Sequence, residues 1–271
     1  MRTLVHLSDL HFGRTDTALV EPLVAKVRDL QPDLVVVSGD LTQRARAGQF
    51  RKAREFLNRL PCPQIVVPGN HDVPLHNVFA RFLSPFGNYR RHISRDLESA
   101  FLDDEIAVVG INSARSLVIQ AGDIGRSQAA RFAERLCAMP DSLVKVVVTH
   151  HPFDLPHPMP QRHLVGHAEN ALAHLVRCGA DLFLAGHLHL CHTELTSRRY
   201  RLPERSAVIV QAGTGLSTRR RGESNNFNLI RTNRTEISVE TFAWFRDLGS
   251  FRIWRKQSFR RSDTGWDKLA A

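Results

Sequence analysis

The sequence predicts an α/β protein built on a mainly parallel sheet, and two kinds of observation lead to that class. The first is a set of short, mainly apolar runs, such as residues 34–37 and 144–148, that are rich in β-branched side chains. Such runs are typical of strands buried on both faces. The second is the helical spacing of Leu19, Leu23 and Val27 between two of the strands. A strand, a helix and a second strand then form a β-α-β unit with a parallel crossover.

The first third of the chain alternates strands and helices. A helix over 19–30 precedes the strand at 33–37, and Pro22 is tolerated because it lies in the first turn. A second helix, over 50–60, ends at two prolines, and residues 64–67 form the next strand. Every one of these strands is followed directly by polar residues.

The middle of the chain has a weaker pattern. A short helix is expected around Phe79 and Phe82, a core strand at 106–111 and a long loop over 112–125. The spacing of Phe132, Leu136 and Met139 predicts a further helix, which ends at Pro140.

Buried strands are predicted again at 144–149 and 181–185, with a helix over 168–178 before the second of them. Four prolines between residues 152 and 160 exclude regular structure there. That segment is expected to form a loop at the rim of a site.

From residue 193 onward the helical spacing disappears. Short β-rich runs at 207–211, 227–232, 237–242 and 251–254 predict a mainly antiparallel portion over 193–256. No linker is visible, so residues 1–256 are expected to form a single domain. The basic, polar residues 257–271 are expected to be a loosely ordered tail.

Composition places the chain among soluble globular proteins. Its 271 residues are 42% apolar, which is enough for a sizeable core. No run approaches the roughly 18 apolar residues of a membrane span, and no secretory leader is recognisable, so a cytoplasmic protein is expected. The four cysteines are widely scattered and without a Cys-x-x-Cys pair, which predicts buried or inert thiols and neither a disulfide nor a thiolate metal site.

The positive charge is unevenly distributed. The last 74 residues carry +9 of the net +10. This asymmetry is compatible with an anionic partner, namely a phosphate-bearing substrate, nucleic acid or an acidic membrane surface. A solvated basic face accounts for it equally well.

Seven potential metal ligands follow the ends of predicted strands. They are Asp9, His11, Asp40, Asn70, His150, His187 and His189. Ligands binding at the carboxyl ends of strands are the rule in open α/β sheets. Oxygen and imidazole donors without thiolate favour first-row ions such as Mn, Fe, Zn, Co or Ni. Seven donors exceed the need of one tetrahedral ion and fit two ions that share a bridging ligand.

These residues resemble the motifs of the calcineurin-like metallophosphoesterases. That family carries, in order, Asp-x-His, Gly-Asp, Gly-Asn-His-Asp, a lone His and Gly-His-x-His. The chain has Asp9-Leu10-His11, Gly39-Asp40, Gly69-Asn70-His71-Asp72, His150 and Gly186-His187-Leu188-His189. All five motifs are intact between residues 9 and 189. The resemblance implies a four-layer α-β-β-α sandwich of two mixed sheets flanked by helices.

The resemblance also implies a ligand set. One metal would be held by Asp9, His11, Asp40 and His189, and the second by Asp40, Asn70, His150 and His187. Asp40 would therefore bridge the two ions, which are expected to be Mn²⁺, Fe or a mixed pair, with Zn, Co and Ni as further candidates.

The residues beside the ligands are candidates for substrate contacts. His71 is placed to touch the phosphate together with Asn70, or to protonate the leaving oxygen, and Asp72 could orient its ring. Arg219, Arg220 and Arg221 lie in a glycine-flanked loop and are candidates for holding an anion. An exposed charge run explains these arginines equally well.

The predicted function is metal-dependent hydrolysis of small phosphodiesters by in-line attack of a metal-bound hydroxide. The compact length and the His150-His151-Pro152 run resemble the bacterial class III cyclic nucleotide phosphodiesterases, which implies a cAMP-like substrate. The alternatives are a UDP-diacylglucosamine-type pyrophosphatase, a nuclease, and a non-catalytic binding scaffold. In the pyrophosphatase alternative the basic C-terminal region would bind an acidic membrane, and in the nuclease alternative it would bind nucleic acid. A homodimer is a further candidate assembly.

Overall fold

The computed structural model describes residues 1–61, 63–118, 120–202 and 205–270. In that part of the chain there are six α-helices and thirteen strands. The helices are α1 (Val20–Asp29), α2 (Ala47–Leu57), α3 (Val78–Leu83), α4 (Gly87–His92), α5 (Arg126–Cys137) and α6 (Ala168–Arg177). The strands are β1 (Arg2–Leu7), β2 (Leu34–Val37), β3 (Gln64–Val66), β4 (Ala100–Leu102), β5 (Ile106–Gly110), β6 (Val144–Val148), β7 (Ala180–Ala185), β8 (His192–Leu195), β9 (Val208–Gln211), β10 (Asn226–Thr232), β11 (Glu236–Phe245), β12 (Ser250–Ser262) and β13 (Gly265–Lys268).

The strands form two mixed sheets. The first has the order β13-β12-β11-β10-β1-β2-β3, in which β1, β2 and β3 are parallel and the remaining neighbours antiparallel. The second has the order β4-β5-β6-β7-β9-β8, with antiparallel strands only at its two edges. The C-terminal portion is therefore divided between the sheets, since β8 and β9 join the second and β10–β13 the first.

Strand residues alternate between two apolar interfaces, as expected for strands with a side-chain period of two. Val35 and Val37 face α1 and α2, whereas Leu34 and Val36 face the other sheet. In the second sheet, Val147 likewise packs toward α5 and α6. The layers are thus helices, sheet, sheet and helices, and the predicted α-β-β-α sandwich is confirmed.

Two elements of the middle segment were not predicted. Helix α4 has only six residues, and Tyr89 is followed by the charged residues Arg90 and Arg91. The sequence therefore shows no apolar helical pattern there. Tyr89 is nevertheless fully buried and donates its hydroxyl to the carbonyl oxygen of Val66 at 2.9 Å. Strand β4 has only three residues and is largely exposed, so its hydrophobic pattern is weak.

The prediction of a loosely ordered tail over 257–271 is wrong for the described residues. Residues 257–262 continue β12, and β13 follows after a tight turn. Trp266 is fully buried between the sheets and donates from Nε1 to Asp181 at 3.1 Å. Of the basic residues that suggested a tail, Arg260 and Arg261 belong to β12 and Lys268 belongs to the edge strand β13.

Part of the C-terminal positive charge is paired inside the fold. Asp181 lies within 2.7 Å of Arg261 and 3.2 Å of Arg205. Glu240 pairs with Arg231 and Lys256 at 2.9 and 3.1 Å. The charge asymmetry of the sequence therefore overstates the free positive charge of this region.

The prediction that all cysteines are unpaired is also wrong for one pair. Cys137 and Cys178 form a disulfide between the end of α5 and the residue after α6. They are 41 residues apart in sequence, and only the side-by-side packing of the two helices brings them together. Cys191 is buried and unpaired, as predicted, and Cys62 lies outside the described residues.

None of the helices in the described ranges has the length and apolar character needed to cross a lipid bilayer.

The packing of Trp266 predicts a large stability effect for a residue near the chain end. We expect Trp266→Ala to lower the free energy of unfolding by about 3–5 kcal/mol, because it leaves a cavity between the sheets. Trp254 on β12 is 44% exposed and provides the control, since Trp254→Ala removes a tryptophan from the surface. Urea titration measures both. A loss below about 1 kcal/mol for Trp266→Ala would show that the tail is loosely held after all.

Candidate metal centre

The seven candidate ligands come from the ends of five strands in both sheets. Asp9 and His11 follow β1, Asp40 follows β2, Asn70 follows β3, His150 follows β6, and His187 and His189 follow β7. The structure brings all seven side chains together, and six of them are less than 9% exposed. The exception is His187, which is partly buried. The site therefore lies where the carboxyl ends of the two sheets meet.

One group of donor atoms surrounds His11. Its Nε2 atom lies 3.1 Å from Nε2 of His189 and 3.5 Å from Oδ1 of Asp9. The same Oδ1 atom is 3.1 Å from Nε2 of His189. Oδ2 of Asp40 is 3.5 Å from Nε2 of His11 and completes the group.

A second group surrounds the side-chain oxygen of Asn70. That oxygen lies 3.1 Å from Nδ1 of His187 and 3.2 Å from Nε2 of His150. Oδ1 of Asp40 is 3.3 Å from the same nitrogen of His150. Asp40 thus presents one carboxylate oxygen to each group, and the groups match the two predicted ligand sets.

The spacing of these donors fits shared cations. Two donor atoms that each lie about 2.1 Å from one ion are roughly 3.0–3.4 Å apart for octahedral or tetrahedral angles. The separations of 3.1 to 3.3 Å fall within that range, and the two of 3.5 Å between His11 and the carboxylates lie just above it. Oδ1 of Asp9 is buried without a hydrogen-bond partner although two imidazoles face it. A cation between these atoms would satisfy it.

The backbone that delivers the ligands is unusual. Asp9, His11, Asp40, His187 and His189 all have positive φ angles, between 47° and 73°. Non-glycine residues adopt this left-handed region at a cost, and such strain concentrates at functional sites. Each strand here must end abruptly so that its next side chain turns inward.

The motif glycines allow the loops to approach closely. A Cβ atom on Gly69 would lie 2.1 Å from Oδ1 of Asp40, and one on Gly186 would lie 1.8 Å from Oγ of Ser8. Neither site can hold a larger residue without moving a ligand loop. Glycine therefore precedes Asn70 and His187 for reasons of space.

Opposite charges perturb the protonation of the cluster. Burial raises the pKa of Asp9, but His189 and His11 lower it to well below its usual value. Burial lowers the pKa of His150, but the Asp40 carboxylate raises it more strongly, to about 9. Burial and the neighbouring His150 lower the pKa of His187 to about 3. Without a cation, His150 therefore holds a proton that a metal would have to displace.

The remaining ring nitrogens orient two of the histidines. Nδ1 of His150 donates to the carbonyl oxygen of Ser38 at 2.8 Å, and Nδ1 of His189 donates to that of Arg219. These bonds leave Nε2 of both rings for the cluster, as in many metal sites. His151 also lies near the cluster, but its nitrogens are bonded to Ser113 and Gln120.

His71 lies at the edge of the cluster, as predicted. Its Nδ1 atom donates to the carbonyl oxygen of Gln43 at 3.0 Å, and Nη1 of Arg219 lies 2.9 Å from its Nε2. His71 therefore meets Arg219 at the mouth of the site. The ring of His11 is 4.9 Å from that of His71, which places it beside the first donor group.

The predicted role of Asp72 in orienting His71 is wrong. Its carboxylate accepts hydrogen bonds from the backbone N–H groups of Leu41, Thr42 and Gly69 and from the Thr42 hydroxyl, at 2.9 to 3.1 Å. None of these bonds reaches the His71 ring. Asp72 thereby joins the loop after β2 to the loop after β3. Its burial, together with the neighbouring carboxylate of Asp40, raises its pKa to about 7.

Only one residue of the predicted arginine loop reaches the site. Arg219 is partly buried and contacts His71, whereas Arg220 and Arg221 are exposed and do not line the cleft above the cluster. Burial lowers the pKa of Arg219 below its usual value, and the carboxylates of Asp40 and Asp9 offset only part of that shift. The anion-binding prediction is thus retained for Arg219 alone.

A cleft of about 730 Å³ opens beside Asn70 and His71. Four further arginines line it that the sequence did not single out, and they are Arg14, Arg44, Arg46 and Arg81. The first three follow the Asp9 and Asp40 motifs within six residues, and that proximity was an available signal. Arg81 lies on α3, where only the fold brings it to the site.

The proline-rich segment also reaches the rim, where it was expected. The His163 ring lies 6.4 Å from the ring of His187, and the segment contains a single turn of 3₁₀ helix at Gln161–His163.

The chain belongs to the calcineurin-like phosphoesterase family, whose model matches residues 2–191. This confirms the family that the motifs indicated.

Curated relatives within this family match only part of the chain. A Synechococcus protein named as a probable cyclic nucleotide phosphodiesterase is 27% identical over 81 residues, covering 27% of this chain and 32% of its own. The glycerophosphodiester phosphodiesterase GpdQ of Enterobacter lignolyticus is 35% identical over 80 residues, covering 26% and 29%. The UDP-2,3-diacylglucosamine pyrophosphatase LpxG of Chlamydia muridarum is 36% identical over 72 residues, covering 26% and 22%. The chain thus spans about a third or less of the length of these relatives.

Solved structures with the same fold cover almost the whole chain. The purple acid phosphatase PPD1 of yellow lupin has a TM-score of 0.70 at 10% identity, covering 95% of this chain and 53% of its own. A dimetal phosphatase of Danio rerio has a TM-score of 0.63 at 14% identity, covering 89% and 95%. At these identities the likeness shows the fold.

The shared carboxylate predicts a loss of metal from both groups when it is changed. We expect the wild-type protein to bind two Mn²⁺ ions per chain and Asp40→Asn to bind fewer than one, because a neutral amide is a poor bridge between cations. Inductively coupled plasma mass spectrometry after gel filtration measures the manganese content per chain.

Manganese affinity should also rise with pH up to about 9, because His150 must lose its proton before it can bind the ion.

His167→Gln is the matched control, since His167 is exposed and pairs with Asp123 away from the cluster. Equal manganese content in wild type and Asp40→Asn would contradict the assignment of Asp40.

Proposed function

We propose that this chain is a dinuclear-metal-dependent phosphodiesterase. The observation that supports this most strongly is the carboxylate of Asp40, which contributes one oxygen to each of two donor groups. One structural ion would require only one group of donor atoms, and that group would not need to lie beside a cleft. When bound, two cations supply positive charge and Lewis acidity to a phosphoryl group.

The chain's own residues would bind and orient the phosphate. Asn70 lines the cleft as well as facing the second donor group, and Arg219 offers guanidinium donors at its edge. Guanidinium and phosphate form charge-assisted, often bidentate hydrogen bonds. A phosphate that contacts Arg219 and Asn70 therefore lies over the cluster.

His71 is in position to move a proton. Nδ1 donates to the Gln43 carbonyl and Nε2 accepts from Nη1 of Arg219, so His71 acts as an acid once the guanidinium binds the phosphate and Nε2 takes up a proton. The same nitrogen is next to Arg219, so the acid and the anion-binding group meet at one point.

The activity test uses manganese-loaded protein and bis(4-nitrophenyl) phosphate. We expect release of nitrophenolate by the wild type and by His167→Gln, and release at the level of the manganese blank for Asp40→Asn and Asn70→Ala. Absorbance at a fixed manganese concentration measures the rate. Turnover that is equal in wild type and both cluster variants would mean that the diesterase activity lies elsewhere.

The role of His71 is tested by the leaving group. His71→Gln should lower kcat by roughly 10²-fold or more for an alkyl phosphodiester such as glycerophosphoethanolamine, whose alkoxide must be protonated as it leaves. The loss should be much smaller for bis(4-nitrophenyl) phosphate, because nitrophenolate leaves without a proton. Equal losses for the two substrates would assign His71 to binding alone.

Cyclic nucleotides are one candidate class of substrate. Two of the curated relatives carry the name of probable cyclic nucleotide phosphodiesterase, and the motif resemblance points to the same class. The comparison that tests this candidate is kcat/KM for cyclic AMP against that for bis(4-nitrophenyl) phosphate, with the same Asp40→Asn blank.

A further inference from the structure

The cleft beside the metal cluster is lined by an unusual concentration of positive charge. Five arginines, namely Arg14, Arg44, Arg46, Arg81 and Arg219, contribute to its walls. Among the described residues that line it, none is an aspartate or a glutamate. Cations crowded into one concave site repel one another and raise the local concentration of anions.

None of the five arginines forms an ion pair with a carboxylate in the described part of the chain, although Asp40 and Asp9 lie close enough to act on Arg219. Elsewhere the fold does pair its arginines, since Asp181 takes Arg205 and Arg261, and Glu240 takes Arg231. Arginines without a partner also occur on the exposed surface of the described chain, as Arg220 and Arg221 do, but the cleft gathers five of them around one concave site. An anionic ligand would serve as their partner.

Arg81 is the cleft arginine for which the lack of a counter-ion costs most, because it is only 7% exposed. Its guanidinium donates to the carbonyl oxygens of Pro74 at 3.0 Å and Val118 at 2.7 Å. Two carbonyl dipoles position the group but carry no net charge to balance it. A buried cation without a counter-ion costs folding free energy, and a ligand anion at the cleft wall would offset that cost.

The number of arginines exceeds what a single phosphoryl group needs. Arg219 and Asn70 already serve a phosphate at the cluster, and Arg14, Arg44, Arg46 and Arg81 remain. A cyclic nucleotide or a simple diester carries one negative charge and would leave these four without a partner. The volume of about 730 Å³ is within the usual range for an organic ligand with a second phosphate.

We propose that the arginine cleft binds a second phosphoryl group of the substrate, so that the preferred substrates are organic diphosphate diesters rather than singly charged phosphodiesters. This inference rests on the proposed phosphodiesterase function and narrows it. In hydrolysis the oxygen of one water bonds to the phosphorus at the cluster, and the bond from that phosphorus to the bridging oxygen breaks. The bridging oxygen leaves with the second phosphate, held by the arginines, and the two products are phosphomonoesters that share the protons of the water.

The test compares two classes of substrate, diphosphate diesters and singly charged phosphodiesters, on manganese-loaded protein. UDP-glucose carries two phosphoryl charges, and bis(4-nitrophenyl) phosphate carries one. For wild type we expect kcat/KM to be at least tenfold higher for UDP-glucose or ADP-ribose than for cyclic AMP. In Arg81→Gln and in Arg44→Gln the ratio of kcat/KM for the diphosphate to that for bis(4-nitrophenyl) phosphate should fall at least tenfold, mainly through KM.

Two further variants separate charge from folding. Arg81→Lys keeps the charge but loses the paired hydrogen bonds, and it should retain more of the ratio than Arg81→Gln. Arg252→Gln removes an exposed arginine of β12 outside the cleft, and it should leave the ratio unchanged. Arg44 is partly exposed, so its variant keeps the test valid if Arg81→Gln fails to fold.

Added salt should raise the KM for the diphosphate more steeply than the KM for the nitrophenyl ester, because salt screens charge–charge attraction.

The outcomes distinguish this inference from the function on which it rests. A wild type that hydrolyses bis(4-nitrophenyl) phosphate, but neither diphosphate faster than cyclic AMP, would overturn the arginine assignment and leave the phosphodiesterase standing. A ratio within twofold of wild type in both Arg81→Gln and Arg44→Gln would do the same. A wild type without activity on any of the substrates would overturn the proposed function itself.

Discussion

The carboxylate of Asp40 is the interaction on which the site depends. Its two oxygens face different imidazoles, His11 on one side and His150 on the other, at 3.5 and 3.3 Å. These histidines follow strands of different sheets, so the carboxylate also joins the two halves of the sandwich. The backbone N–H of His71 donates to Oδ1 of Asp40 at 2.8 Å and fixes the side chain in that position.

Holding this carboxylate in place requires several costly features. The ligand loops contain five residues at positive φ, and the glycines before Asn70 and His187 leave no space for a Cβ atom. Asp72 offsets part of that cost, because its carboxylate bonds to backbone groups of both neighbouring loops. The strain is thus located at the strand ends, where a rigid pair of sheets can support it.

Much of this architecture could be predicted from the sequence. The apolar run at β2 and the valine-rich run at β6, in which Lys145 is the one polar residue, identify buried strands, and the polar residues that follow them identify the site. Sequence patterns failed where a contact joins distant segments. Trp266 is buried only because Asp181 and β12 surround it, and Cys137 meets Cys178 only because α5 and α6 pack side by side.

The same limit applies within the site. The ligands stand in ordered motifs, but the partners of Asp72 and the arrangement of the arginines are tertiary facts. A run of three arginines suggested one anion-binding loop, whereas the fold draws one residue from that loop and four from three other segments. Local sequence therefore indicates which chemistry is present, and packing decides which charges act together.

The most direct test of the account is anomalous diffraction at the manganese edge from crystals of the manganese-loaded protein. The account predicts two peaks about 3.5–4 Å apart, one on each side of the Asp40 carboxylate. A single peak, or peaks that Asp40 does not contact, would contradict it.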